Sequence, residues 1–191
     1  MPERRAVFLD RDGTIVADPP PGYLHEPGKV RLLPGAAEAI HRLNAAGLLV
    51  ITVSNQSGIA RGLYTVAAYA AVQRRLGELL AAHGAHLDGA YFCPHHPDVT
   101  GPCECRKPGT KLFRDAAAAL GIDLTRSWFV GDRLSDVEPA ATLGGRGLLV
   151  ATGKGGGRGE GQQVGGVRLA ADLSAAAALI VSAEATDSET R

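Results

Sequence analysis

This sequence lacks the means for a disulfide framework. It has three cysteines, an odd number, and all lie between positions 93 and 105. That clustering points instead to metal or redox chemistry in a reducing compartment. Charge of one sign is missing too, since 20 basic residues balance 20 acidic ones. Nothing therefore draws the whole chain to nucleic acid or to an anionic membrane, and any anion recognition must be local. Long apolar runs are absent: "GLLVITV" (47–53) has the length of a strand, far from the roughly 20 residues of a membrane span. The opening "MPERRAVFLD" holds too short an apolar stretch for a secretory signal. A Walker phosphate loop is also missing: "TGKGGGRGEG" does not have the required Gly-Lys-Ser/Thr order and reads as a flexible loop. The expectation is a soluble cytoplasmic monomer with neither nucleic acid nor membrane as partner.

What is present is a hydrophobic share of 45% in 191 residues, enough for the core of one domain. Residues 6–9, 48–53, 89–92, 127–130 and 147–150 read as strands, and 167–170 as a last one. Helices are expected over 36–46, from Thr65 to Gly84, over 110–120, between the fourth and fifth strands, and over 172–182. Strands alternating with helices predict a doubly wound, mainly parallel sheet of Rossmann-like α/β type. The expected organisation is one domain over 1–183, a mobile glycine-rich loop over 153–166, and a disordered tail over 184–191.

In such sheets ligands bind beyond the carboxyl ends of the strands. "DRDGT" follows the first strand, "SNQSG" the second, the Cys/His stretch with "RKP" the third, and "GDRLSD" the fourth. All four polar segments would converge on one edge. Asp10 and Asp12 are like charges one residue apart, which tolerate each other if a cation intervenes or one keeps its proton. Both conditions suit phosphoryl transfer. Asp10, at the strand end, reads as a nucleophile forming an aspartyl phosphate. Asp12 reads as the general acid and base. Asp10, Asp12 and Asp132 would hold Mg2+. Asp136 would hold a metal-bound water or orient its loop. Ser54 and Asn55 would donate to phosphate oxygens, and Lys107 would pair with both phosphate and Asp10. Cys93-x-His95 and Cys103-x-Cys105 offer three sulfurs and one imidazole, a set suited to structural Zn2+ in a loop over about 93–105, with His96 a rival for His95.

"DRDGT", "SNQ", Lys107 and "GDRLSD" resemble, in order, the four motifs of the haloacid dehalogenase-like phosphatase superfamily. "FLDRDGTI", "SNQSGIARG", "CPHHP" and "CECRKP" are similar to a narrower family. That family joins the D-glycero-D-manno-heptose-1,7-bisphosphate 7-phosphatases to the histidinol-phosphatase domain. The resemblance covers about residues 5–155. It implies a two-step, Mg2+-dependent phosphatase with no large cap domain, and His95 as the zinc ligand. It also implies that Arg106, Arg133, Gln56, Ser57 and the Gly22-Tyr23 loop contact a small phosphorylated sugar. The expected reaction removes the C7 phosphate of a heptose 1,7-bisphosphate. Pro20, Pro21 and the seven residues between His95 and Cys103 depart from the family pattern on the specificity side. Histidinol phosphate is the alternative substrate. A non-catalytic receiver-like module is a more distant alternative, since receivers carry no acid two residues beyond the phosphoacceptor.

Overall fold

The structure, a computed structural model, describes residues 4–18, 22–153, 163–164 and 166–189. Pro20, Pro21, Lys154 and most of the glycine-rich stretch lie outside the described residues. The first strand, β1 (Ala6–Leu9), is fully buried. It pairs in parallel with β2 (Leu49–Asn55) on one side and β4 (Trp128–Gly131) on the other, with Phe8 opposite both Ile51 and Phe129. β3 (Gly89–Cys93) extends the sheet beyond β2. β5 (Arg146–Val150) and β7 (Val167–Ala170) extend it beyond β4, also in parallel. A two-residue strand, β6 (Gln163–Val164), runs antiparallel to β7 and closes that edge, giving the order β3-β2-β1-β4-β5-β7-β6. The composition of the glycine-rich segment predicts no strand there. Two residues carry no periodicity to read, and their pairing depends on a distant edge.

Alternation along β1 divides the core. Val7 and Leu9 face a layer built from α1 (Ala36–Ala45), α2 (Val66–Ala81) and α6 (Leu173–Glu189). Ala6 and Phe8 face α4 (Lys111–Leu120) and α5 (Leu134–Leu143). Phe8 stacks on Phe129 at 5.1 Å and meets Phe113 edge-on at 5.3 Å, so three of the four phenylalanines sit in one cluster. Thr65 caps α2 by accepting the Ala68 amide at 3.1 Å, a contact worth about 1 kcal/mol. A short helix not expected from sequence, α3 (Pro97–Thr100), sits in the cysteine loop with His96 as its cap.

The tail expected from residue 184 is instead helical as far as Glu189. The polar composition that suggested fraying conceals an anchor: buried Glu184 accepts hydrogen bonds from Arg5 and from Trp128 Nε1, the latter at 3.0 Å. The described residues contain no large cap domain inserted between the strands. No described helix is long and apolar enough to cross a membrane.

Candidate active site

The carboxyl ends of β1, β2 and β4 meet where the chain's crossovers change direction across the sheet, the position at which such sheets bind ligands. Asp10 follows β1, and its amide donates to Val130 O at 2.9 Å, which ties it to β4. Lys107 arrives from the cysteine loop and is 4% exposed. Its Nζ donates to Asp10 Oδ1 at 2.7 Å and to Val53 O at 2.6 Å, and lies 2.8 Å from Asp136 Oδ1. Burial pulls this ammonium toward neutrality, but Asp10 and Asp136 outweigh it and hold the proton more firmly than in a free lysine. Asp136 is therefore a partner of Lys107, and its other oxygen accepts the Arg133 amide at 3.0 Å at the start of α5. Asn55 clamps the arriving loop: its side chain accepts from the Lys107 amide at 3.0 Å and donates to the Lys107 carbonyl at 3.2 Å. One amide hydrogen of Asn55 is thus committed to the loop, which leaves the second for an anion.

Asp10, Asp132 and Asp136 each present a carboxylate oxygen within 4.8 Å of the others, all buried. Burial raises the Asp10 carboxyl, Lys107 opposes it, and Asp136 and Asp12 add to the rise; the outcome is about 7. A site this rich in negative charge with a single buried ammonium fits a hard divalent cation. The carboxylate of Asp12, expected among the metal ligands, is not in that group. It is turned to Arg11, whose Nε and Nη2 donate to its two oxygens at 3.1 and 2.8 Å, and to Gln56 Nε2 at 2.8 Å.

These groups open on a cavity of about 500 Å3. Asp10, Asp12, Ser54, Asn55 and Lys107 line it, and so do Gly22, Tyr23, Ser57, Arg106 and Arg133. Gln56, expected to touch substrate, does not line the cavity; it is 2% exposed and spends its amide on Asp12, Ser54, Arg11 and Tyr64. Asp132 lies behind the lining residues, where Gly13 and Gly153 pack on it.

Cys93, His95, Cys103 and Cys105 form a second cluster. The sulfur pairs lie 3.0, 3.5 and 3.6 Å apart, and His95 Nδ1 is 3.2 Å from Cys105 and 3.8 Å from Cys93. Zinc–sulfur bonds of about 2.3 Å give tetrahedral edges near 3.8 Å, so this donor set fits a closed zinc site. Burial pushes the Cys93 thiol up, and a bound cation would release that proton. His96 faces Arg61 instead, at 2.7 Å, and caps α3.

Sequence reasoning assigned nothing to Arg11, Tyr64 or Gly153. Arg11 was visible between the two aspartates, but a fully buried arginine leaves no mark in composition.

A HAD-hydrolase-like family model matches residues 104–176. The chain is 44% identical over 156 residues to a D-glycero-beta-D-manno-heptose-1,7-bisphosphate 7-phosphatase from Photorhabdus laumondii, covering 78% of this chain and 81% of the relative. It is 40% identical over 155 residues to the protein of that name from Escherichia coli K12, covering 78% and 80%. Among solved structures, it is similar to the D,D-heptose 1,7-bisphosphate phosphatase of B. bronchiseptica complexed with magnesium and phosphate. The TM-score is 0.82 at 36% identity, covering 94% of this chain and 99% of that one.

Proposed function

This chain belongs to the haloacid dehalogenase-like hydrolases, within the family of D-glycero-beta-D-manno-heptose-1,7-bisphosphate 7-phosphatases, and from that premise we propose that it removes the C7 phosphate of this heptose bisphosphate. The observation that carries the reading is the Lys107 ammonium between Asp10 and Asp136, at the wall of a cavity that also presents Arg106 and Arg133. One phosphate lies against Asp10, while the two arginines face the rest of an anionic sugar. The enzyme works as a cytoplasmic monomer.

Asp10, freed of its proton beside Lys107, attacks phosphorus in line with the departing sugar oxygen. Ser54 and Asn55 donate to the phosphoryl oxygens, and Lys107 spreads their charge as the ester bond breaks. Asp12 gives its proton to the leaving oxygen, then takes one from the water that cleaves the aspartyl phosphate. Mg2+ would be held by Asp10 and Asp132 and, when bound, neutralises the nucleophile and the phosphate. Cys93, His95, Cys103 and Cys105 would hold Zn2+ in a structural role, which would fix a loop of little apolar content and with it the positions of Arg106 and Lys107.

Phosphate release from heptose 1,7-bisphosphate and histidinol phosphate, each with Mg2+, tests the reading. A kcat/KM at least tenfold higher for the heptose and loss of turnover in Asp10→Asn are expected. A preference for histidinol phosphate would overturn the substrate, and an active Asp10→Asn the mechanism. Metal analysis of purified protein is expected to find about one zinc per chain. Less than half an equivalent, with folding unchanged in chelator, would remove the structural role.

A further inference from the structure

Gln56 occupies the middle of a buried network that the phosphatase reading leaves unused. Its Oε1 accepts from Tyr64 Oη at 2.6 Å and from Arg11 Nη2 at 3.3 Å. Its Nε2 donates to Asp12 Oδ2 at 2.8 Å and to Ser54 Oγ at 2.7 Å. The orientation of this amide is fixed by chemistry, because a guanidinium has no acceptor: the atom facing Arg11 must be the oxygen. The nitrogen is thereby directed at Asp12 and Ser54. The Tyr64 ring reaches its place only because residue 58 is glycine; a Cβ there would lie 2.2 Å from Tyr64 Cε1 and 3.0 Å from Tyr23 Cγ.

Two consequences follow for groups that line the cavity. Ser54 Oγ accepts from Gln56, so its own hydrogen is free to point at a phosphate oxygen. At Asp12, Oδ2 receives two donors, Gln56 Nε2 and Arg11 Nη2, whereas among the described residues Oδ1 receives only Arg11 Nε at 3.1 Å. A proton on Oδ2 would face two N–H groups, so the exchangeable proton belongs on Oδ1.

We propose that Gln56 is a positioning residue which selects Oδ1 of Asp12 as the proton-carrying oxygen and, through the same amide, presents the Ser54 hydroxyl to phosphate. This rests on the phosphatase reading. In the first step Asp10 forms a bond to phosphorus, the phosphorus–sugar oxygen bond breaks, and the proton on Asp12 Oδ1 passes to that oxygen. In the second, water bonds to phosphorus, its proton returns to Oδ1, and the bond to Asp10 breaks.

The test compares wild type, Gln56→Leu and the isosteric Gln56→Glu as full chains with Mg2+. Heptose 1,7-bisphosphate, whose alkoxide needs a proton to leave, is set against p-nitrophenyl phosphate, whose leaving group does not. With the heptose, kcat is expected to fall at least tenfold in both variants, with KM within about threefold. With the aryl phosphate, the pre-steady-state burst of nitrophenolate loses only the share that Ser54 supplies and slows less than turnover of the heptose, while the following steady state slows further. A rise in KM with kcat unchanged would return Gln56 to a substrate contact and overturn the proposal, as would slowing of the burst equal to that of heptose turnover. Gln56→Glu keeps the packing, so it decides the matter even where Gln56→Leu does not fold. A wild-type protein inactive on both esters would instead remove the phosphatase reading.

Discussion

At the scale of single residues, the site is a problem of surplus negative charge solved by placement. Asp10, ordinarily near 3.8, is pushed up to about 7, chiefly by burial and against the pull of Lys107. In the metal-free protein the folded state holds this proton across a window from about 4 to about 7 that the unfolded chain does not, so its share of stability falls as pH rises through that window. A divalent cation competes with the same proton. The rise in Tm on adding Mg2+ is therefore expected to grow between about pH 5 and about pH 7.5. Thermal melts with and without Mg2+ check this, and an increment that stays flat or shrinks would count against Asp10 as a ligand. The gathering of Asp10, Asp12 and Lys107 at one edge was legible in sequence because charged residues at strand ends stand out against apolar runs. The hydrogen-bond partners of Gln56 and Arg11 were not, since "SNQSG" and "DRDGT" say nothing of which way a polar side chain turns.

At the scale of elements, the segment after β5 does more than its composition announces. Gly153 has φ +65°, and a Cβ there would lie 2.5 Å from Asp132 Oδ2 and 2.8 Å from Gly13 Cα. The start of the glycine-rich stretch is thus the wall behind Asp132, the carboxylate proposed to hold Mg2+, where only a hydrogen fits. Gly153→Ala is expected to push Asp132 out of place and weaken Mg2+ binding about tenfold, roughly 1.4 kcal/mol, while zinc content stays unchanged. Titration calorimetry with Mg2+ measures it directly, and unaltered affinity would show that Asp132 can give way. The composition of this stretch had suggested only a mobile loop, because contact between two glycines far apart in sequence has no periodic signature. Elsewhere the elements agreed with their patterns. α2 began at its Thr65 cap, and β2 began inside its apolar run but carried on past it through Ser54 and Asn55.

At the scale of the whole molecule, the chain's two ends are latched. Arg5 precedes β1, Trp128 opens β4, and both donate to Glu184 on α6. This contact lies at the amino ends of the strands, across the sheet from the catalytic edge. Glu184→Ala leaves a part-buried arginine and an indole N–H without their acceptor, and is expected to cost about 2 kcal/mol and lower Tm by about 6 °C. Phosphatase kcat at 25 °C should remain within about twofold of wild type. Thermal melts and turnover assays on the same preparation test both halves, and a large loss of turnover would mean that α6 reaches the site.

The sequence by itself determined the fold class, the edge at which Asp10, Asp12, Lys107 and Asp132 gather, and the four members of the Cys93, His95, Cys103 and Cys105 cluster. These follow from local periodicity and from residue types at strand ends, which act over a few neighbours. Tertiary structure alone decided that Asp136 faces Lys107, that Asp12 turns to Gln56 and Arg11, that Gly153 backs Asp132, and that the supposed tail is an anchored helix. Each of these is a contact between segments distant along the chain. Its energy depends on burial and orientation, which exist only once the sheet has brought those segments together.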